Sequence, residues 1–460
     1  MGSNNRLRRT ALSAFAGRLL NALRQIVSVP ILVAAWGASY YGEWLVLSSI
    51  PTFLAMSNLG LGTAASVQIS FDVRNQEYRR AWSLLKGANH LLLLVLLLVT
   101  LLVWLLLAQT NLLGSTVTRV ESPIAIVLSL VGAAVCKMLA GTLRGWWNGV
   151  GNPSVPIRWA NLSLVSELSV VVGVGLLGGT AMTLAQSLLA VTVLWYVSYF
   201  LATVVRAKAS LGSIQGIPAD YYRAAGLVRV GLGHQLTPLW QAILFQGSIV
   251  LAATALDSAS AALWGAMRIV VRSGCQLIEV MRISLGPEFQ LAFADDDRDK
   301  LRLLHSASVL LSIALTLVAA AVLLVCGLPL FEIWTSHEFE VGFSEWSVLV
   351  ISLIPLSIWW VSAEFQLVIN RPWFSSVAGV LTALLALGAM WLLSNLGILG
   401  FCIGYLLFDC VMAVAVIAKS LAILDTTLAK SCVHGLSFLA SKGQILVLDV
   451  FSRTNVTHRT

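Results

Sequence analysis

The sequence predicts an all-α integral membrane protein with twelve transmembrane helices in two six-helix bundles, and three observations lead to that fold class. Apolar runs of about 20 residues, the length that crosses a bilayer as a helix, recur along the chain. The run from His90 to Gln109 is the clearest of them. Basic residues concentrate in alternate connections between these runs, and Asn/Pro elements recur at equivalent places in the two halves.

The composition excludes a soluble nucleic-acid-binding protein. Of the 460 residues, 58% are hydrophobic and 11% are charged, and the net charge of +8 comes from basic residues scattered through short loops. Such scattering is what membrane topology requires. The six cysteines show no CxxC or Cys/His spacing, so neither a disulfide framework nor a metal site is predicted. Arg18 and Arg24 interrupt the apolar stretch near the N-terminus, which we interpret as a retained first helix rather than a cleaved signal peptide.

Apolar runs bounded by polar segments predict twelve membrane spans, with limits to within about 2–4 residues. Their limits are 12–36, 44–70, 88–109, 123–146, 158–178, 182–205, 233–256, 259–285, 303–326, 346–369, 373–395 and 398–418. With the N-terminus inside, the cytoplasmic segments hold 21 lysines and arginines, and the opposite side holds one, Arg119. The positive-inside rule therefore predicts that both termini are cytoplasmic.

An internal repeat predicts that the two bundles share one architecture. Asn152-Pro153 follows the fourth span, and Asn370-x-Pro372 follows the tenth. Repeated helical bundles are one way in which transporters are built. The predicted domains are an N-terminal six-helix bundle (1–205), a cytoplasmic linker (206–231), a C-terminal six-helix bundle (232–420) and a cytoplasmic tail (421–460).

Seven basic residues fall inside the predicted spans, where a charge costs at least a few kcal/mol and normally faces protein or a wet cavity. They are Arg18, Arg24, Lys137, Arg144, Arg268, Arg272 and Arg282. At about 100° per residue, the four charged residues from Arg268 to Arg282 fit one arc of about 80°. Lys137 and Arg144 also share a helix face. Cationic stripes on three helices predict a hydrated chamber for an anion, because guanidinium groups bind phosphate oxygens in pairs.

The residues assigned to diphosphate binding are Arg18, Arg24, Lys137, Arg144, Arg268 and Arg272. Two other interpretations remain open. The cations can be structural, paired with acids inside the spans, and Arg144 and Arg282 can extend to the membrane interface. The acids concerned are Glu167, Glu279, Glu364 and Asp409, which are equally candidates for coupling to Na⁺ or H⁺.

Three short motifs resemble those of one membrane-protein family. A Gly-x-x-x-Tyr-Gly turn runs from Gly37 to Gly42, and an Asn-Leu-Gly-Leu-Gly-Thr element runs from Asn58 to Thr63. The third motif, NGVGNP, occupies 148–153. In these motifs the chain resembles polysaccharide-biosynthesis membrane proteins, which form the O-antigen and exopolysaccharide flippase branch of the multidrug/oligosaccharidyl-lipid/polysaccharide (MOP) exporter superfamily. The resemblance covers residues 10–420.

The resemblance implies a MATE-like, V-shaped pair of six-helix bundles around a central cavity. It implies a flippase, not an enzyme, that moves undecaprenyl-diphosphate-linked oligosaccharide across the bacterial inner membrane by alternating access. The expected partners are this lipid-linked oligosaccharide, membrane lipids and polysaccharide polymerase or export proteins, with no nucleic acid. No cofactor is implied, and Na⁺ or H⁺ are candidate coupling ions. The related flippase for the peptidoglycan lipid precursor is similar in placing cations on its first and eighth helices, as Arg18, Arg24, Arg268 and Arg272 are placed here.

Two other function classes remain as alternatives. A cation-coupled exporter of drugs or anionic metabolites would share the fold. Exporters of cationic drugs would need a net acidic cavity, whereas the predicted spans hold seven basic and four acidic residues. A membrane-embedded enzyme of envelope polymer synthesis would need a His/Asp- or Arg-rich outer loop. The longest outer loop, 331–345, is acidic and has one histidine, His337.

Overall fold

The computed structural model confirms the predicted all-α fold, and every regular element in the part of the chain it describes is helical. The described residues are 3–56, 60–109, 117–276, 278, 281, 285, 288–289, 292–293, 295–369, 371, 373–431, 433 and 435. The α-helices are α1 (Ser3–Met56), α2 (Leu61–Arg74), α3 (Tyr78–Gln109), α4 (Pro123–Gly149), α5 (Ser154–Leu176), α6 (Ala181–Leu211), α7 (Tyr221–Ala255), α8 (Ser258–Ser273), α9 (Arg298–Val322), α10 (Leu328–Trp334), α11 (Phe343–Ile351), α12 (Leu353–Val368), α13 (Trp373–Leu392) and α14 (Ile398–Ile423). A π-helical turn, Leu323–Gly327, joins α9 to α10, and a 3₁₀ turn, Ser394–Leu396, precedes α14.

Within the described residues, ten helical segments are long and apolar enough to cross a membrane, which identifies a multi-pass membrane protein. Two differences separate these ten from the twelve predicted spans. The first predicted span and the start of the second lie in one segment, Phe15–Phe53, because α1 runs through both. The predicted span at 259–285 begins as α8, and several of its later residues lie outside the described part of the chain.

Gly37 interrupts α1. Its backbone angles, φ 72° and ψ 164°, belong to a region that is essentially restricted to glycine. The motif from Gly37 to Gly42 predicted a turn of several residues between two helices. The structure needs only this one residue to redirect the chain, and the helix resumes at Ala38.

The chain forms two compact units, Met1–Ile269 with Glu332–Glu340, and Val270–Phe331 with Val341–Thr460. In the first unit, α1 packs along α5 and α7, and α4 packs on α2 and α6. In the second, α14 packs on α11, α12 and α13, and α9 packs on α12. The first unit includes α7 because α7 packs on α1, α2 and α3. The predicted domains, two six-helix bundles joined by a linker at 206–231, have boundaries that differ from those of these two units. That division stays a prediction.

Small residues bring the helices of the first unit close together. A Cβ atom at Gly145 would lie 2.4 Å from the Ser66 carbonyl oxygen, so the backbones of α4 and α2 approach each other closely. The neighbouring Trp146 is fully buried and meets Trp82 edge-on, with ring centroids 5.7 Å apart. This tight contact fixes α4, which carries Lys137 and Arg144, against its neighbours.

A buried carboxylate fastens the connection between α3 and α4. Glu43, in the second part of α1, is 2% exposed. Its two oxygens accept hydrogen bonds from the backbone N–H groups of Thr118, Arg119 and Val120 at 3.0–3.2 Å. Three successive N–H groups around one carboxylate form an anion nest. The nest gives hydrogen-bond donors to the buried carboxylate and an acceptor to the N–H groups of the turn.

A second buried carboxylate fastens the connection between α6 and α7. Asp72, on α2, accepts from Arg223 Nη2 at 2.9 Å and from Gln68 Nε2 at 3.0 Å. Lys86, on α3, donates to the Ile217 carbonyl at 2.9 Å. Part of the predicted cytoplasmic linker is therefore bound to α2 by an ion pair and to α3 by a hydrogen bond.

Candidate functional site

The first unit holds a cluster of two cations around one buried carboxylate. Lys137 Nζ, on α4, lies 2.8 Å from Glu167 Oε1 on α5. Arg24 Nη1, on α1, lies 3.9 Å from Glu167 Oε2. The Glu167 side chain is 6% exposed, whereas those of Lys137 and Arg24 are 45% and 38% exposed. The cations therefore share one counter-ion and have accessible surface left for another anion.

The remaining contacts of this cluster orient its carboxylate and its guanidinium. Ser163, one turn before Glu167 on α5, donates its hydroxyl to Glu167 Oε1 at 2.6 Å. Arg24 Nη2 donates to Asn21 Oδ1 at 3.4 Å, and Arg24 Nε is buried without a hydrogen-bond partner among the described residues. With two cations and one carboxylate, the cluster has a formal charge of +1.

Close packing of α1 against α5 brings the cluster together. A Cβ atom at Gly17 would lie 2.4 Å from Asn161 Oδ1, and Asn161 Nδ2 donates to the Ser13 carbonyl at 2.8 Å. On the same face, a Cβ atom at Gly175 would lie 2.3 Å from Ile31. These contacts lie on both sides of Arg24 and set its distance from Glu167.

Two more of the predicted phosphate-binding residues lie on the same helices. Arg18 on α1 and Arg144 on α4 are exposed. The first unit therefore has four cations on α1 and α4, of which Arg24 and Lys137 contact the buried Glu167. The assignment of these four residues to diphosphate binding stays a prediction.

Arg268 is buried within the first unit, with 8% exposure. Its Nη1 atom donates to the Phe245 carbonyl at 2.8 Å and to Ser248 Oγ at 3.1 Å. Its guanidinium carbon lies 5.3 Å from the centroid of Trp264 and 5.9 Å from that of Phe245. Arg268 thus joins α8 to α7 through two hydrogen bonds and through contacts with aromatic rings. Its assignment to phosphate stays a prediction, and these contacts equally suit a packing role.

Arg272 lies in the second unit. Its Nη1 atom donates to the Tyr405 hydroxyl at 2.5 Å, and its guanidinium carbon lies 5.7 Å from the Trp360 ring centroid. It interacts electrostatically with Asp409, which is fully buried on α14 and accepts from Trp359 Nε1 at 3.0 Å. Arg268 and Arg272, four residues apart, therefore have separate surroundings.

The other acids predicted to lie inside the membrane have different settings. Glu364, on α12, is half-buried. Glu279 and Arg282 lie outside the described residues. Sequence reasoning missed Ser163, although its spacing of four residues before Glu167 places both on one helix face. It also missed Glu43, because the prediction placed that residue in a loop.

The fold is that of MATE transporters of the MOP superfamily, which confirms the predicted MATE-like fold. The structure is similar to the inward-facing conformation of a multidrug resistance MATE family transporter of that superfamily, with a TM-score of 0.74 and 15% identity over 88% of this chain and 94% of that chain. The structure is also similar to the outward-facing conformation of a multidrug resistance MATE family transporter of that superfamily. The TM-score is 0.63, with 15% identity over 91% of this chain and 95% of that chain.

A MOP superfamily transporter from Pyrococcus furiosus, described by the reverse polarity of its binding pocket, is also similar. Its TM-score is 0.59, with 14% identity over 92% of this chain and 96% of that chain. At such identities the likeness establishes the fold alone. No protein-family model and no curated protein matches the sequence.

Proposed function

We propose that the protein is a flippase that carries a lipid-diphosphate-linked oligosaccharide across the bacterial inner membrane by alternating access. The observation that carries this proposal is the cluster of Arg24, Lys137 and Glu167. Its cations are joined to a single carboxylate, and both keep accessible surface within a membrane-spanning fold.

The charge of this cluster favours an anionic ligand. A cation inside a membrane protein is expensive and is retained where it has a partner or a function. Glu167 neutralises one of the two cations and leaves the other for a phosphate group. Lysine offers a compact charge and arginine a planar fork, and both bind phosphate oxygens through charge-assisted hydrogen bonds. Arg18 and Arg144 are further cations at exposed positions on the same two helices.

The charge bias of the loops supports the orientation that we propose. With 21 lysines and arginines on one side and one on the other, both termini lie in the cytoplasm. The lipid-linked oligosaccharide would then enter from the cytoplasmic leaflet. Polysaccharide polymerase or export proteins are the partners that such a substrate would require on the far side.

The second unit offers candidate groups for ion coupling. Asp409 is fully buried and interacts electrostatically with Arg272, and Glu364 on α12 is half-buried. Buried carboxylates in membrane helices are typical proton or sodium sites. We propose Asp409 and Glu364 for this role, and Arg272 as the group that offsets the Asp409 charge.

Translocation in vesicles tests the proposal. The full chain is reconstituted in liposomes with a fluorescent undecaprenyl-diphosphate-linked oligosaccharide, and its arrival in the other leaflet is followed by quenching. The double variant Arg24→Gln/Lys137→Gln should slow transport at least about ten-fold, the effect of losing one charge-assisted phosphate contact. Lys419→Gln, an exposed cation on α14, is the matched control and should transport normally. Unchanged transport by the double variant would remove the cluster from the mechanism.

A cation-coupled exporter of the same fold is the second candidate. The similarity to a multidrug resistance transporter favours it, and the similar transporter described by reverse pocket polarity indicates that one fold accommodates pockets of different charge. The net positive cluster favours an anionic metabolite over a cationic drug. No glycolipid transport, together with protection of a sensitive host against drugs, would support the exporter and overturn the flippase.

A further inference from the structure

The chain turns back on itself directly after α14, in the second unit. The C-cap of α14 is Leu424, and the next residue, Asp425, has a φ of 50°, in the left-handed region. The Thr426 N–H donates to the Leu421 carbonyl at 3.1 Å, and the Asp425 N–H donates to that of Ala422 at 3.4 Å. These two hydrogen bonds form a Schellman motif, which ends a helix and redirects the chain.

A new helix starts immediately after this turn. The described residues that follow, 428–431, 433 and 435, are helical, and they are here called the return helix. Thr427 Oγ1 accepts from the Lys430 N–H at 3.5 Å, as a residue that caps the start of a helix does. Because so short a turn makes two helices antiparallel neighbours, the return helix runs opposite to α14.

A side chain from α9 fixes the turn in place. Arg302 Nε donates to the Leu424 carbonyl at 2.7 Å, and Arg302 Nη2 donates to the Asp425 carbonyl at 3.2 Å. Carbonyl groups at a helix end lack partners within the helix, and a guanidinium satisfies them. Arg302 lies near the start of α9, so α9 begins on the side of the membrane where α14 ends. From there α9 continues as a membrane-spanning segment.

The return helix packs along α9. The hydroxyl oxygens of Ser431 and Ser306 lie 2.6 Å apart, and these residues are 8% and 3% exposed. One turn further along, a Cβ atom at Gly435 would lie 2.6 Å from Leu310 Cδ1 and 3.0 Å from the Ser306 carbonyl oxygen. The two contacts follow the same order along both helices, so the return helix runs parallel to α9.

The return helix directs its small residues to the protein and its large apolar residues outward. Ser431 and Gly435 are buried, whereas Leu428 and Val433 are 60% and 66% exposed. A helix on a water-facing surface has its large apolar residues towards the protein. Small residues at the helix contact are instead typical of helices that pack in lipid. Lys430, exposed in the first turn, can extend to the headgroups.

We infer that the return helix enters the bilayer beside α9 and that its outer face contacts lipid acyl chains. It starts at the membrane surface, at the turn that Arg302 fixes, and it reaches the level of Leu310, which lies inside the predicted span 303–326. The segment predicted as a cytoplasmic tail, 421–460, would then begin with a membrane-embedded helix. The inference is the same whichever side of the membrane is cytoplasmic and whatever the protein carries.

Photochemical labelling by lipid tests this inference on the full chain in phospholipid nanodiscs. Benzoylphenylalanine replaces Val433 or, as the matched control on α9, Val318, which is also 66% exposed. Adducts with acyl chains are counted by mass spectrometry. Position 433 should give at least about half the adduct yield of position 318, because acyl chains would surround both side chains. At Asp299, which is 93% exposed in the first turn of α9, the yield should be below about one tenth of that at 318, because this level lies outside the hydrocarbon.

A disulfide tests the register of the return helix on α9. In a chain whose native cysteines are replaced by alanine, Ser306→Cys/Ser431→Cys places thiols where the two hydroxyls lie 2.6 Å apart, and oxidation should join them. Gly435→Leu, whose side chain would overlap Leu310, should lower the crosslink yield at least about five-fold through overpacking. Gly388→Leu, at an exposed position of α13 where a Cβ atom would meet no described atom within 4 Å, is the matched control and should leave the yield unchanged.

The two experiments together decide between the membrane and its surface. Lipid adducts at Val433, with a disulfide that Gly435→Leu suppresses, would support a helix embedded beside α9. A disulfide without lipid adducts at Val433 would mean that the return helix packs outside the bilayer, and it would overturn the inference. The labelling experiment keeps the native cysteines, so its result stands even if their replacement impairs folding.

Discussion

Lys137 Nζ lies 2.8 Å from Glu167 Oε1, and this ion pair joins α4 to α5 inside the first unit. Glu167 is buried, whereas Lys137 is nearly half exposed. The carboxylate therefore acts as a fixed counter-ion behind a cation that can still reach a ligand. Arg24, on α1, approaches the same carboxylate less closely, at 3.9 Å.

Replacing this counter-ion should strengthen the binding of diphosphate. Glu167→Gln keeps the size of the side chain and removes its charge, so the cluster changes from +1 to +2. Because ion pairs with exposed partners contribute about 1 kcal/mol, we expect roughly five-fold tighter binding of farnesyl diphosphate. Ligand-induced thermal stabilisation measures this affinity. Glu77→Gln, which removes an exposed ion pair with Arg80, is the control, and weaker binding by Glu167→Gln would contradict an anion site.

Arg268 should matter for stability more than the exposed Arg144 does. Arg268→Ala leaves the Phe245 carbonyl and Ser248 without their donor and opens space between α7 and α8. We expect a loss of about 2–4 kcal/mol in the free energy of unfolding. Arg144→Ala, at an exposed position on α4, should cost less than about 0.5 kcal/mol. Chemical denaturation in detergent compares the two, and equal stabilities would show that Arg268 does not hold α7 to α8.

The buried pair of Asp72 and Arg223 should hold the connection between α6 and α7 in place. Asp72→Asn leaves the Arg223 guanidinium, 22% exposed, with only the longer contact to Asp220 at 4.0 Å. Breaking such a pair costs about 3 kcal/mol. Limited proteolysis should cut residues 212–220 faster in this variant. Asp299→Asn removes a carboxylate that is 93% exposed and should have little effect. The same cleavage rate for both variants would argue against this role.

The nest around Glu43 should stabilise the turn that precedes α4. In Glu43→Gln an amide replaces the carboxylate that accepts hydrogen bonds from three backbone N–H groups. The amide NH₂ group is itself a donor, so it cannot accept from those N–H groups. We expect the free energy of unfolding to fall by about 2 kcal/mol. Glu121→Gln, exposed in the same connection, is the matched control. A melting temperature unchanged by Glu43→Gln would exclude the nest as a stabilising element.

Much of the fold could be predicted because its signals are local. A run such as His90–Gln109 is apolar whatever surrounds it, and a bilayer-spanning helix follows from its length. The helical period also places Lys137 and Arg144 on one face. The Gly37 break was predicted only as a longer turn, because glycine indicates where a chain can bend and not how many residues the bend requires.

The sequence by itself determined that this is a helical membrane protein, and it named the charged residues that are unusual inside its spans. Only the tertiary structure decided that Lys137 and Arg24 share Glu167, that Arg268 is enclosed by α7, and that Trp334 reaches the Ile26 carbonyl. Hydropathy and helical period act over neighbouring residues. Which charge meets which depends on how closely distant helices pack, and that is set by contacts such as those of Gly17 and Gly175 with α5 and α1.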